Sequence, residues 1–273
     1  MVLAVQRDAL DAALAPVVAT LRGIAAQHGD KPVYGLAPEV VVADASGWTP
    51  ARDLMSGTGL DDFLDAAKQR WNAQPHAAAA LAWKCYTYWT ALPALIGYAG
   101  ARRVPLPRPD DVLVRYSEHQ PFLRTAMRHP TVAVLPSDPL AAFAVSGRRS
   151  RQHGLRVVVC ADDAALRAEL RRALVDDHLE PLMGAIRERV HLGRRTLWGS
   201  LASGAAHALA KVEDLVPGPV LPLIDEVLTA LGVADLVDVT VDPSTGALSI
   251  ARRTCCLAFT LPKPKICTGC CIR

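Results

Sequence analysis

Apolar residues recur every three to four positions over much of the chain, which is the period of one face of an α-helix. This pattern predicts helices over 5–28, 59–71, 75–100, 162–176, 178–191, 194–212 and 219–232. The helix over 75–100 is apolar on nearly all sides, with Lys84 as its one Lys, Arg, Asp or Glu residue. We interpret it as a buried core helix rather than a membrane span. We expect it to break near Pro93, because proline lacks a backbone N–H. Arg102 and Arg103 follow it directly and leave a peripheral contact with a membrane surface open.

Short runs rich in β-branched residues predict strands within 111–117, 131–137 and 155–161, and a short strand or a loop at 39–47. Residues 236–253 alternate between apolar and polar on both sides of the sequence DPSTG, the pattern of a β-hairpin with Gly246 near the end of its turn. The expected fold class is α+β, predominantly helical with an antiparallel sheet. Its last hairpin leads directly into a cysteine-rich loop.

Proline residues divide the chain near its middle, in the sequence VPLPRPDD at 104–111. We take this stretch as a linker. The prediction is a helical N-terminal region over 1–103, an α+β region over 104–253 and a cysteine-rich C-terminal segment over 254–273.

Composition excludes several classes of protein. Of the 273 residues, 51% are hydrophobic and 21% charged, which is typical of a globular chain and not of a disordered one. A net charge of +3, with no aromatic-rich basic stripe, argues against nucleic-acid binding. Arg7, Asp8 and Asp11 interrupt the first apolar stretch, so it is not expected to be a signal peptide. We expect a cytoplasmic protein, in which clustered thiols are reduced and serve as metal ligands or redox groups.

Five of the seven cysteines lie close together at the C-terminus: Cys255, Cys256, Cys267, Cys270 and Cys271. Four thiolates can hold tetrahedral zinc or an iron–sulfur cluster. A thioredoxin-type site is disfavoured, because its Cys-x-x-Cys would need a helix to follow.

The adjacent cysteines favour a binuclear cluster over one zinc ion, because successive side chains tend to diverge and can serve two metal atoms. Basic residues flank the cysteines, and no acidic residue lies between Ile250 and Arg273. These basic residues are Arg252, Arg253, Lys263, Lys265 and Arg273. Their charge suits a cluster with four thiolates, which carries about two negative charges when oxidised.

The pattern CC-x10-C-x2-C after Arg-Arg resembles the cluster-binding tail of the FhuF-like ferric-siderophore reductases. The segment RRTLWGSLASG is similar to a stretch upstream of that tail in the family, and HLEPLMGAI is compatible with it, so the resemblance covers roughly 175–273. It implies a 2Fe–2S cluster held by Cys255, Cys256, Cys267 and Cys270. Cys271 stands where the family often has proline and is therefore spare.

The resemblance also implies a function in iron transport: one-electron reduction of a ferric siderophore, expected to be of the hydroxamate type, with release of Fe(II) in the cytoplasm. No Gly-rich nucleotide motif follows a strand, so we expect a separate electron donor such as a ferredoxin, a flavodoxin or a small reductant. The alternative is a zinc-stabilised protein without redox activity, acting as a siderophore-binding or scaffold protein.

Overall fold

Helices form most of the fold, with three small sheets. The computed structural model describes residues 2–117, 122–145, 154–267 and 269–272. Its α-helices are α1 (Val2–Gln27), α2 (Gly57–Trp71), α3 (Pro75–Ala101), α4 (Ala141–Val145), α5 (Asp163–Arg171), α6 (Glu180–Arg189), α7 (Arg194–Ala210) and α8 (Val220–Leu231). The strands are β1 (Leu36–Val41), β2 (Thr49–Pro50), β3 (Val104–Leu106), β4 (Val112–Tyr116), β5 (Leu123–Met127), β6 (Thr131–Val134), β7 (Arg156–Val159), β8 (Val237–Val241) and β9 (Leu248–Arg252).

The α+β class predicted from the sequence is confirmed, with sheets that are mixed in direction. One sheet has the order β1-β5-β4-β2, in which only β1 and β5 pair in parallel. A second has the order β3-β6-β7, with β6 and β7 parallel. The antiparallel hairpin of β8 and β9 forms the third, as the alternating pattern predicted. The sequence VPLPRPDD begins with the buried strand β3, so its first residues lie within a sheet.

The central helix α3 does not break at Pro93, contrary to the sequence prediction. It continues to Ala101 and ends where Arg102 adopts a left-handed conformation, φ 51°. Proline cannot donate to the carbonyl four residues earlier, which here belongs to Trp89. Thr125 Oγ1 in β5 donates to that oxygen at 3.2 Å. The surrounding sheet thus supplies the hydrogen bond that proline removes, and the buried helix remains continuous.

The two helices predicted over 162–176 and 178–191 form one continuous helical rod, which is a second correction. A π-helical segment, Arg172–Leu179, joins α5 to α6. Its fully buried His178 bonds to Tyr86 Oη and to Pro107 O. Burial lowers the pKa of His178 to about 4, so the imidazole is neutral at neutral pH. The wider turn lets His178 fasten the rod to α3 and to the segment after β3.

Helix α7 lies along α3 through its small residues. Trp83 of α3 is fully buried, and its Nε1 donates to Leu197 O at the start of α7 with a distance of 2.8 Å. The side chains Ser200, Ala202, Ser203, Ala205 and Ala206 are buried along α7. This close pairing fixes the relative position of the two helices that meet the cysteine-rich loop.

Among the described residues, one stretch is long and apolar enough to cross a membrane: Ala9–Gln27 in α1. One third of that window is buried in the fold. The two arginines that follow α3 are held in ion pairs at 2.8 Å, Arg102 with Asp163 and Arg103 with Asp138.

Candidate metal centre

The cysteine-rich loop begins where β9 meets α7. Thr254, two residues after β9, is buried against Gly199 of α7. A Cβ atom on Gly199 would lie 1.8 Å from Thr254 Oγ1, so no larger residue fits there without movement. Gly199, the first glycine in RRTLWGSLASG, therefore has a structural role, because it allows the first cysteines to approach α7.

The backbone of two successive residues acts on the adjacent cysteines. Leu257 adopts a left-handed conformation with φ 63°, and a short 3-10 turn, Ala258–Thr260, follows it. Leu257 N donates to Cys255 Sγ at 3.2 Å, and the backbone of Ala258 acts to lower the pKa of Cys256. Such arrays of backbone N–H groups favour bound anions and occur at many iron–sulfur sites. The loop is thus built to receive thiolates.

The second part of the loop returns alongside β9. Arg252 N donates to Gly269 O at 2.9 Å, and Cys270 N donates to Cys267 O at 3.2 Å in a tight turn. A Cβ atom on Gly269 would lie 2.0 Å from Ile250 O. This contact with the strand backbone brings Cys267 back to the first cysteine pair.

Two of the four predicted ligands lie close enough together to bind the same metal atom. Cys256 Sγ and Cys267 Sγ are 3.7 Å apart. Two sulfurs bound to one tetrahedral metal atom at ~2.3 Å are separated by about 3.8 Å, so this pair fits a common metal atom without rearrangement. Cys256 is only 5% exposed and packs with Leu81, Ala258 and Leu261.

The other cysteines lie in the same loop. The charges of Cys256, Cys270 and Cys271 all act on Cys255, whose pKa is raised mainly by burial. Within the described parts of the chain, no group of three or more His, Cys, Asp or Glu side chains converges on one metal position. The structure thus brings one pair together and places Cys255 and Cys270 near it. Cys271 is exposed.

Two cations act on the close sulfur pair. Lys84 of α3 extends its Nζ to 3.8 Å from Cys267 Sγ. Burial acts to raise the pKa of Cys256, but the Ala258 backbone, Lys84 and Arg252 together bring it below the ordinary value. Burial raises the pKa of Cys267. The site therefore favours a thiolate at Cys256 first.

Arg252 is a buried cation with one free donor. It is 5% exposed, its Nε donates to Thr254 O at 3.2 Å, and its Nη2 donates to Ser200 Oγ at 3.1 Å. Its Nη1 is buried and has no hydrogen-bond partner among the described residues. A buried donor without a partner is costly, so an acceptor at this position would stabilise the site.

A pocket of about 350 Å³ opens beside the close sulfur pair, and Cys267 and Gly269 form part of its wall. The remaining wall comes from α3, α7 and β9, and the side chains that characterise it are Lys84, Tyr88, Trp89, His207, Lys211 and Arg252. None of the described lining residues is acidic. Burial lowers the pKa of His207, whose Nδ1 bonds to Ser203 O at 2.8 Å. The pocket is therefore cationic, partly aromatic and in contact with a predicted ligand.

The sequence prediction missed this pocket. Lys84 could have indicated it, because a single charged residue in an apolar helix needs a partner. In the structure that partner is Cys267. Cys85 also lines the pocket, and burial raises its pKa. Of the predicted basic surroundings, Arg253 pairs with Asp238 and Arg273 lies outside the described residues.

Comparison with known families gives one match. The model of a family described as "Ferric iron reductase FhuF-like transporter" matches residues 82–230. The match begins within α3, further toward the N-terminus than the resemblance seen in the sequence, and ends before β8. It includes Lys84 and Gly199 but not the cysteine-rich loop. No curated protein matches the chain.

Proposed function

Because the chain belongs to the family of ferric iron reductase FhuF-like transporters, we propose that it reduces Fe(III) bound to a siderophore. We further propose that Cys255, Cys256, Cys267 and Cys270 hold a 2Fe–2S cluster as the prosthetic group. The family match supports ferric reductase activity, and the geometry of the loop supports the cluster.

The observation that carries the proposal is that Cys267 lies both beside Cys256 and in the wall of the pocket. Its sulfur lies 3.7 Å from Cys256 Sγ, and its side chain also forms part of the pocket wall. A molecule in the pocket would therefore lie against one of the ligands of the metal centre. Close approach is what electron transfer to a bound chelate requires, and no acid, base or nucleophile is needed.

The described residues fit a cluster in three respects. The sulfur separation of Cys256 and Cys267 would suit binding to a common iron atom, and Cys255 and Cys270 in the same loop would be the remaining ligands. The N–H group of Leu257 donates to Cys255 Sγ, and the Ala258 backbone favours a thiolate at Cys256. Lys84 and Arg252 offset negative charge at the thiolates. When bound, a 2Fe–2S cluster supplies a one-electron reductant at the pocket wall.

The chemistry of the substrate explains why one electron suffices. Siderophore oxygens are hard donors and hold Fe(III) far more tightly than Fe(II). The ferric chelate gains one electron, no bond to the protein forms, and Fe(II) then dissociates from the weakened chelate. The side chains of the pocket have to hold the chelate and keep it against Cys267.

The electron is proposed to come from a ferredoxin-like protein in the cytoplasm. The exposed part of the loop carries Lys263 and Lys265 together with Ile266, which is 63% exposed, and Ile272, which is 53% exposed. Exposed apolar side chains beside positive charge suit a partner with an acidic docking surface. We propose a cytoplasmic location, in keeping with the expectation from the sequence.

A stopped-flow experiment under anaerobic conditions tests the proposal. The reconstituted protein is reduced with dithionite, freed of excess reductant and mixed with a ferric siderophore in the presence of an Fe(II)-specific chromogenic chelator. We expect one Fe(II) per reduced protein, with reoxidation of the protein at the same rate. Cys256→Ser should abolish both signals, and the matched variant Cys271→Ser should retain them. A reduced protein that transfers no electron to any ferric chelate would contradict the proposal.

A further inference from the structure

We propose that the pocket beside Cys267 selects ferric chelates with a net negative charge, such as tris-catecholates, over neutral tris-hydroxamates. This inference rests on the proposed function and specifies its substrate class. It differs from the hydroxamate type that the sequence resemblance implied. The deciding feature is the charge of the wall.

The pocket wall carries three cations that lack a carboxylate partner. Lys84, Lys211 and Arg252 all line it, and none of them forms an ion pair with an acidic residue in the described parts of the chain. What distinguishes the pocket is that all three line one cavity and that none of its described lining residues is acidic. Lys84 and Arg252 also offset the negative charge of the thiolates, so Lys211 is the cation left to attract an anionic ligand.

Arg252 supplies an independent sign of a ligand. Its guanidinium is 5% exposed, and two of its nitrogens are held by Thr254 O and Ser200 Oγ. The third, Nη1, has no partner among the described residues. A charged buried donor gains more from an anionic oxygen than from a neutral one. Arg252 also lines the pocket, so its charge acts on a ligand there.

Not all of this positive charge is needed by the thiolates. Lys84 and Arg252 act on Cys256 and offset the charge of the metal centre. Lys211 lies at the end of α7, with its Nζ 5.8 Å from the centre of the Tyr88 ring. It is thus available to a ligand in the pocket, and we assign it as the residue that discriminates between substrate charges.

The aromatic wall is consistent with the same class. Tyr88 and Trp89 lie edge to face, with ring centroids 4.8 Å apart. Catechol rings can pack on such surfaces and also accept a cation at their faces. The volume of about 350 Å³ lies in the usual range for ligand pockets and would accommodate the iron end of a chelate.

The two chelate classes differ in charge by a fixed amount. Three hydroxamates neutralise Fe(III), so their complex carries no net charge. Three catecholates leave a trianion. Lys211 should therefore contribute to binding of the second class and hardly at all to the first.

Redox-inert gallium(III) complexes separate binding from reduction. Isothermal titration calorimetry on the oxidised, cluster-loaded protein compares a Ga(III) tris-catecholate with a Ga(III) tris-hydroxamate at low and high salt. We expect the trianion to bind at least about tenfold more tightly, with affinity that falls as salt rises. Lys211→Gln should weaken binding of the trianion about fivefold to tenfold and leave the neutral complex unchanged. Lys31→Gln, an exposed lysine that does not line the pocket, is the matched control and should change neither.

Each outcome decides one of the two proposals. Equal or tighter binding of the neutral complex, no binding of either complex, or a trianion affinity unaffected by Lys211→Gln overturns the charge selection. Selective binding of the gallium trianion with no reduction of its ferric counterpart supports the selection and contradicts the reductase function. Reduction of both ferric classes at equal efficiency supports the reductase function and contradicts the charge selection.

Discussion

Gly269 is expected to be indispensable for assembling the metal centre, although it offers no side chain to it. In Gly269→Ala, the added Cβ would lie 2.0 Å from Ile250 O, 3.1 Å from Ile250 C and 3.2 Å from Ala251 Cα. All three are backbone atoms of β9, so no side-chain rotation can relieve the overlap. The loop has to move away from the strand instead.

The cost of that movement can be estimated from the contacts. The closest contact has to lengthen by about 1 Å to reach an acceptable separation, and overpacking of this kind costs about 1–3 kcal/mol. The movement also threatens the hydrogen bond from Arg252 N to Gly269 O, worth ~0.5–1.5 kcal/mol. The sum is about 1.5–4.5 kcal/mol, which shifts the balance between docked and undocked loop by roughly 10-fold to 1,600-fold.

The assay measures iron per chain after anaerobic reconstitution, alongside the melting temperature of the metal-free protein. Because the strain falls on the loop, we expect Gly269→Ala to lose most of its iron while its apo protein melts close to wild type. Gly184→Ala is the matched control, since nothing lies within 4 Å of a Cβ at that helical position. It should keep its iron and melt slightly higher, because alanine favours the helix. Full iron occupancy in Gly269→Ala would refute the assigned loop geometry.

Three further predictions follow from the same structure. Cys256→Ser should lose the cluster and Cys271→Ser should retain it, as judged by visible absorption; the opposite result would overturn the ligand assignment. Lys84→Gln removes a positive charge 3.8 Å from Cys267 Sγ. The reduction potential of the cluster, measured by an EPR-monitored titration, should therefore fall by roughly 50–130 mV. An unchanged or higher potential would contradict the role of Lys84. The pKa of His178 is depressed to about 4 in the folded state, so the unfolded chain binds the extra proton between pH ~6.5 and ~4. Unfolding free energy should therefore fall by about 3 kcal/mol as the pH drops through that window and be unaffected above it. Urea titrations of wild type and His178→Gln should show a shallower slope in the variant, because His207, whose pKa burial also lowers, contributes to both proteins.

The sequence identified the cysteines because their chemistry is encoded in local spacing. Alternation on both sides of DPSTG likewise predicted β8 and β9, since a hairpin is specified by neighbouring residues. The continuity of α3 through Pro93 could not be predicted in this way. It depends on Thr125, which lies far along the chain and reaches the free carbonyl of Trp89 only in the folded protein.

The pocket was beyond sequence reasoning for the same physical reason. Its cations come from three elements: Lys84 from α3, Lys211 from the end of α7 and Arg252 from β9. No local pattern relates residues so distant in sequence. What joins them is the close approach of α3 and α7, together with the fit of Thr254 against Gly199. Only the folded arrangement reveals that these three cations line one cavity beside Cys267.

The most direct test of the central claim is an anaerobic absorption and EPR spectrum of the purified full chain, as isolated and after dithionite, with iron, sulfide and zinc assayed on the same sample. A 2Fe–2S centre predicts a brown protein with about two iron and two sulfide per chain, and a half-integer-spin EPR signal that appears on reduction. A colourless protein with stoichiometric zinc, and no cluster after anaerobic reconstitution, would contradict the account and make the loop a structural zinc site.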